Sequence, residues 1–425
     1  RQILVGKRYF QKEFGVDVRI GWNPDSFGYN WQLPQIYKKS GIDYFVTQKM
    51  AWNDTTQLPM KLFWWESPDG SRVLTYFPHD YARGIDAVPL AEDIAVARRL
   101  NPGLPEMMHL FGVGDHGGGP TRAMLDNGMH LSGGGMVYPK TFFGAAQGFF
   151  SDVEGNLDTA RSPVWNYKTL AAGDTQLPQP HEGEISLPTW DDELYFEYHR
   201  GVFTTQSRQK RNMRESEERA LDAEKYSSLA WRMGQPYPGE DLTEVWKKIL
   251  FNQFHDLAAG SGIGVIYKDA QRDYDMVRRT TQEERSNALD TIASEVDTRS
   301  AVGGVPVMIV NSLAWNRTDL VKLDVQMPDA PKDGVSVLDS RGMALPVQVL
   351  SSDATTNTFH LLVEAQDVPS LGYEVVHVVP DHLAVRTDLK ARGLTLENDA
   401  LRLTVDPKTG CITSLYDKQI GRAHV

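Results

Sequence analysis

The chain has 425 residues, 41% hydrophobic and 24% charged, with 44 Lys and Arg against 56 Asp and Glu and a formal net charge of -12. Such a length holds two to four domains at roughly 100 to 200 residues each, and the ordinary globular usage excludes a disordered tail; no run approaches the roughly 18 apolar residues of a membrane span, and the acidic balance has the wrong sign for a nucleic-acid partner. The one cysteine, Cys411, excludes an intramolecular disulfide and a cysteine-rich zinc site, so any metal must sit on His, Asp and Glu.

From Val16 to Pro139 short apolar runs (VDVRI, DYFVT, RVLTYF, HLFGVG, GMVYP) alternate with helical patterns such as WQLPQIYKKSG, whose Gly41 suits a C-terminal cap. Strand, helix, strand predicts a parallel sheet closed by crossovers. Between Leu194 and Ala301 charged segments with heptad-like apolar spacing (RQKRNMRESEERALDAEKYSSLAW, LTEVWKKILFNQFHDL, and Ile266 to Val296) predict a three-helix bundle. After Val302 the pattern has period two (PVMIVNSLAW, LVKLDVQMP, VSVLDS, HLLVEAQDVP, YEVVHVVP, LRLTVD), which predicts a β-sandwich-like region. Nine of the ten tryptophans fall at or before Trp246 and none follows Trp315, so the multidomain chain divides into an α/β part over residues 1–185, a helical part over 186–300 and a β-rich part over 301–425. It begins with Arg1 and ends in GRAHV directly after LENDALRLTVD; both ends read as cut, and the last domain as unfinished. Compartment is therefore not read from the absence of a targeting peptide.

Four stretches hold chemistry. The first is GWNPDSFGY, residues 21 to 29, directly after VDVRI. Strand ends in α/β architectures display functional groups, and Asp25 stands there as a carboxylate, with Trp22 and Phe27 offering aromatic faces on which a sugar ring can stack. A helix-capping role for Asp25 fits the spacing equally. The second is LFGVGDHGGGPT, residues 110 to 121, whose only carboxylate is Asp115 and whose three consecutive glycines allow a ligand or loop to come close. It lacks the Lys-Ser/Thr and the Rossmann spacing of a nucleotide loop, and a plain flexible turn stays open as a reading.

The third is NQFHD, residues 252 to 256, ending an apolar helix before the glycine-rich AAGSGIG. A lone His on such a helix is ordinarily a core residue. Here the adjacent carboxylate favours a pair in which His255 binds metal and Asp256 takes a hydroxyl. The fourth, residues 181 to 201, is rich in carboxylates and aromatics: His181 and Glu184 match no standard zinc spacing, Glu197 and His199 alternate along an extended segment, and the basic run from Arg208 to Arg214 reads as a solvated helix face. Sequons at Asn53 and Asn316 matter only on a secretory route.

In order along the chain, GWNPDSFGY, LPQIYKKSGIDYFVTQKMAWND with FWWESPDGSRVLTYFPHDY, FGVGDHGGGPTRAML, ELYFEYHRGVFTTQSRQKRN and LFNQFHD resemble glycoside hydrolase family 38, the zinc-dependent retaining α-mannosidases. The resemblance spans essentially the whole chain; NSLAWNRTDLV and LENDALRLTVDPKTGCITSLYDK are similar to that family's β-domains. It implies an incomplete β/α barrel-like catalytic domain and an α-mannoside or oligosaccharide substrate. By position, Asp25 matches the nucleophile, which also binds zinc, and Asp115 the general acid/base, in a glycine-rich loop that departs from the better-known pair of adjacent aspartates. His255 matches a zinc-ligating histidine, Asp256 the neighbouring carboxylate that holds sugar hydroxyls, and Phe27 a residue flanking the sugar.

Retention requires two carboxyl groups about 5 to 5.5 Å apart. Asp115 should start protonated and Asp25 ionised, with the metal gripping vicinal hydroxyls of the mannose. The family's other zinc ligands lie in a His-x-Asp motif that RQILVGKRYFQKEF lacks. They are expected upstream of Arg1, and the 425-residue chain is expected to bind zinc weakly and turn over little. Three alternatives stay open: mannosyl-glycerate hydrolysis within the family, a metal-dependent polysaccharide deacetylase, which would lack the helical segment after Leu194, and a non-catalytic carbohydrate-binding homologue. Homo-oligomerisation is left open as well.

Overall fold

The computed structural model describes residues 1–114, 118–135, 138–301, 303–329, 331, 334–385 and 387–424. They form two compact units, Arg1–Ala220 with Glu240–Thr280, and Leu221–Gly239 with Thr281–Val425. In chain order the α/β part contains α1 (Gln2–Phe14), β1 (Ile20–Trp22), α2 (Leu33–Lys39), β2 (Tyr44–Val46), β3 (Leu62–Glu66), β4 (Arg72–Tyr76), α3 (Ala87–Leu100), α4 (Arg122–His130), α5 (Ala146–Glu154), β5 (Val164–Trp165), α6 (Tyr167–Ala172) and β6 (Thr189–Trp190).

The strands make one sheet in the order β1-β2-β4-β3-β6-β5. Every pairing is parallel except β3 with β4, a hairpin turned at Ser67 to Gly70, so the expected parallel sheet is a mixed one. All three residues of β2 are buried because both faces are covered. Phe45 packs with Phe63, Trp65 and Trp190 on one face, while Tyr44 and Val46 pack with Leu74, Tyr76 and the α5 residues Phe149 and Phe150 on the other. α2 stops at Lys39, and Gly41, just past its Ser40 cap, turns the chain with φ +73 as Ile42 N–H donates to the Tyr37 carbonyl at 2.9 Å.

Two apolar runs expected as strands take other forms. Phe111, in HLFGVG, makes only an isolated bridge to Arg83, because the glycines on its far side turn the chain away: Gly114 has φ +68, and a Cβ there would come 2.4 Å from that of Ala82. The start of GMVYP closes a helical turn, Leu131–Gly135.

Downstream lie α7 (Ser207–Arg232), α8 (Gly239–Phe251), α9 (His255–Ala259) and α10 (Gly264–Ser294). The segment expected as one helix over LTEVWKKILFNQFHDL is thus broken between α8 and the short α9. In the second unit the strands are β7 (Val305–Val310), β8 (Arg317–Gln326), β9 (Ser336–Leu338), β10 (Ala344–Leu345), β11 (Val347–Asp353), β12 (Thr358–Val368), β13 (Tyr373–Val379), β14 (Lys390–Arg392), β15 (Thr395–Glu397), β16 (Leu401–Val405), β17 (Ile412–Asp417) and β18 (Arg422–His424). They form three antiparallel sheets, ordered β10-β9-β13-β7, β11-β12-β8 and β14-β15-β16-β17-β18. The first two share a core in which Leu323, Val325, Leu361 and Val363 meet Val337, Val376 and Val378. Period-two burial makes this possible: in β8, buried Leu323 and Val325 alternate with exposed Lys322, Asp324 and Gln326.

Candidate active site

The carboxyl ends of the three adjacent parallel strands β1, β2 and β4 lead into the segments that carry Asp25, Lys49 and Tyr81, the end of an α/β sheet at which functional groups collect. The Asp25 turn is fixed by its backbone: the Pro24 carbonyl accepts from Gln48 N–H at 3.1 Å and Lys49 N–H at 3.2 Å, and Asn23 N–H donates to Val46 at 3.0 Å. Buried Tyr29 adds a hydroxyl that donates to the Asn23 carbonyl at 2.7 Å and lies 2.6 Å from Thr47 Oγ1. Asp25 caps no helix; the next one, α2, has Gln32 at its N-cap.

Its carboxylate is instead surrounded by donors. Lys49 Nζ lies 2.5 Å from Oδ1, Tyr81 donates its hydroxyl to the same oxygen at 2.9 Å, and His255 Nε2 stands 3.1 Å from Oδ2. Burial pushes the carboxyl's pKa up, but hydrogen bonds from Lys49 and Tyr81 and the charges of Lys49 and His255 outweigh it and hold Asp25 below the usual carboxylate range. The Lys49 side chain is only 4% exposed, and a cation so buried needs compensation. It finds this in Asp25 and in the face of Trp52, whose ring centroid is 3.5 Å from Nζ. Lys49 and Tyr81 were not singled out in the sequence. The signal available was positional, since both follow apolar strands as Asp25 does.

His255 and Asp256 open α9. That helix is anchored through buried Asn252, whose amide donates to Asp273 at 2.9 Å and whose carbonyl accepts from Gln209 at 3.2 Å. α9 ends at Gly260 with φ +85, where a Cβ would lie 2.6 Å from the Thr205 carbonyl oxygen. Asp256 Oδ2 is 3.4 Å from His255 Nε2, and its Oδ1 accepts from Ser261 at 2.7 Å.

The Phe27 ring stacks on His199 at 4.4 Å between centroids and meets His255 edge-on at 5.6 Å. His199 is held below the ordinary histidine range, first by burial and then by the Lys49 charge, against the opposing pull of Asp256 and Asp25. Two residues upstream, the Glu197 carboxylate is buried and accepts from the backbone amides of Thr55 at 2.8 Å and Thr56 at 3.1 Å. Glu197 is thus a structural tie between segments, while His199 belongs to the site.

Trp22, 46% exposed at the end of β1, borders with Pro24 and Tyr81 a cavity of about 810 Å³ whose far wall includes Met107, His109 and Phe111. The cavity adjoins the Asp25 cluster, and Tyr81 belongs to both. Asp115 lies outside the described residues. The ends of its loop are described: Gly112 N–H donates to the Arg83 carbonyl at 3.1 Å, and Val113 N–H to the Gly119 carbonyl at 3.2 Å.

For a metal, Asp25 Oδ2 and His255 Nε2 are donors of the right kind, an oxygen and an imidazole nitrogen on one side of the cluster. Among the described residues, no group of three or more His, Cys, Asp or Glu is arranged to hold an ion. The pair therefore suits zinc in chemistry and falls short of a tetrahedral set in number.

Two family models match the chain in succession, the glycosyl hydrolases family 38 N-terminal domain over residues 1–168 and the alpha mannosidase middle domain over residues 197–292. Alpha-mannosidase 2C1 of Mus musculus is 31% identical over 434 residues, covering 99% of this chain and 35% of the mouse protein. An alpha-mannosidase of Saccharomyces cerevisiae is 35% identical over 280 residues, 63% of this chain and 23% of the yeast protein. The chain thus spans about a third or less of the length of these curated relatives. The crystal structure of an alpha-mannosidase from Enterococcus faecalis V583 superposes on 99% of the chain with a TM-score of 0.70 at 16% identity, using 50% of that chain, and so shares its mixed α/β fold. With both models, in the family's order, over residues that include the Asp25 turn and the His255 helix, the chain belongs to glycoside hydrolase family 38.

Proposed function

We propose that the chain forms part of a retaining α-mannosidase in which Asp25 is the nucleophile. The observation that carries this is the Asp25 carboxylate itself, kept ionised where three parallel strands end, with Lys49 and Tyr81 on one oxygen and His255 beside the other. An ionised carboxylate can attack the anomeric carbon; a second carboxyl group, assigned to Asp115, gives its proton to the leaving oxygen as the glycosidic bond breaks. The resulting glycosyl ester is cleaved by water, which Asp115 deprotonates, and the products are mannose and the free aglycone alcohol. Two inversions leave the anomeric configuration unchanged.

Phe27, held by the His199 ring, offers an apolar face to the sugar, Trp22 a second aromatic surface at the cavity's edge, and Asp256 a carboxylate for its hydroxyls. Zinc would be held by Asp25 and His255 with ligands beyond these two, and would grip vicinal hydroxyls of the mannose. The same reading assigns residues 1–185 to a catalytic domain of incomplete barrel type, 186–300 to a helical bundle and 301–425 to a β-sandwich-like region. Proton NMR of the zinc-loaded protein acting on an aryl α-mannoside tests it. α-Mannose as the first product, lost in Asp25→Asn, is expected; β-mannose, or unchanged turnover in the variant, contradicts it.

A further inference from the structure

Asp93, on α3, is a buried carboxylate that this chemistry does not use. It is 5% exposed, and a charge so enclosed is costly unless several donors compensate it. Arg83 Nη1 donates to both of its oxygens, at 2.8 and 3.0 Å, while His109 Nδ1 lies 3.4 Å and His79 Nδ1 3.7 Å away. These partners sit on two segments that both serve the site. His79 and Arg83 flank Tyr81, each two residues from it, and Tyr81 donates to Asp25. His109 begins the run into the glycine-rich loop, and its Nε2 donates to the Gly84 carbonyl at 2.9 Å. The two segments also touch through their backbones, by the Arg83 to Phe111 bridge and the Gly112 to Arg83 hydrogen bond.

The structure assigns to Asp93 the part of a positioning residue: through Arg83 and His109 it ties residues 109–112, which lead into the glycine-rich loop, to the segment that carries Tyr81. Asp93 meets Arg83, His109 and His79, and acts on the site through these neighbours. The assignment rests on the reading of Asp115, in that loop, as the general acid. A misplaced acid has a distinctive kinetic consequence. A leaving group that departs without a proton hardly feels its loss, whereas a poor one does.

The test compares kcat/KM for 2,4-dinitrophenyl and phenyl α-mannosides in the zinc-loaded protein and in Asp93→Asn, with Asp115→Ala as the reference. Asp93→Asn is expected to lower the phenyl value by about 10²-fold and the dinitrophenyl value by less than about 5-fold, the pattern that loss of general-acid assistance produces. Hydrogen exchange gives a readout that needs no turnover. Peptides covering residues 79–84 and 109–114 should exchange faster in the variant, while those of β3 and β6 stay unchanged. Arg83→Lys, which keeps the charge and alters the bond geometry, should show the same pattern more weakly and serves if Asp93→Asn does not fold. Equal losses on both substrates in Asp93→Asn, with a leaving-group-dependent loss in Asp115→Ala, would overturn the assignment. A flat response in Asp115→Ala would instead sink the acid reading, and unchanged exchange in both peptides would overturn the positioning role whatever the kinetics.

Discussion

Lys49 and Asp25 form an ion pair at 2.5 Å across the ends of two parallel strands, with the cation almost wholly enclosed and the carboxylate 24% exposed. Removing one member of such a pair leaves the other charge uncompensated, which costs more than the pair itself contributes. Lys49→Met should therefore lower the thermal unfolding midpoint and reduce kcat on an aryl mannoside by about 10²-fold, the scale of losing one preorganised electrostatic partner. Lys49→Arg should recover most of both. Unchanged kcat in Lys49→Met would separate the pair from the chemistry.

Lys61 supplies a pH-dependent stability term. Burial pushes its ammonium down to about 8, only partly opposed by the charge of Asp93. Its folded pKa lies below its unfolded value, so between the two the unfolded chain binds more protons and stability rises with pH. The charged form is thus a liability near neutrality. Lys61→Met should raise stability at pH 7 by about 1 to 3 kcal/mol and flatten the rise above pH 8, as read by urea unfolding at several pH values.

Gly260 ends the helix that presents His255. Its φ of +85 and the 2.6 Å gap between a built Cβ and the Thr205 carbonyl exclude any side chain without backbone movement. Gly260→Ala should cost more than about 1 kcal/mol in stability and weaken zinc binding, because α9 must shift to relieve the contact. Calorimetry of both quantities checks this, and an unperturbed zinc affinity would show that His255 is not positioned from this helix end.

Asp25 and His255 are two donors where structural or catalytic zinc takes three or four from protein. Titration of the chain with zinc should give weak binding, micromolar or poorer, lost in Asp25→Asn and in His255→Ala. Nanomolar affinity would mean that further ligands exist within these residues.

The residues of the site that were legible in the sequence are those marked by local punctuation. Asp25 and Phe27 sit between Pro24 and Gly28 after an apolar run, and His255 and Asp256 end an apolar helix before a glycine-rich turn. Lys49 and Tyr81 carry no such mark; what brings them to Asp25 is the pairing of β1, β2 and β4, a non-local event that no short window contains. The antiparallel β3–β4 hairpin escaped for a related reason, since β3 lies in a sheet covered on both sides: Leu62, Phe63 and Trp65 are buried and Trp64 is half-buried, so the run shows no clean alternation. HLFGVG shows the reverse, an apolar run whose glycines turn it away after a single bridge from Phe111 to Arg83, so that no strand forms.

Trapping shows whether Asp25 attacks the sugar. A fluorinated mannosyl fluoride slows breakdown of a glycosyl ester, so the zinc-loaded protein should accumulate a covalent adduct even at low turnover. Peptide mass spectrometry should place one mannosyl adduct on Asp25, absent from Asp25→Asn. An adduct on another carboxylate, or steady product formation with no adduct at all, would contradict the account.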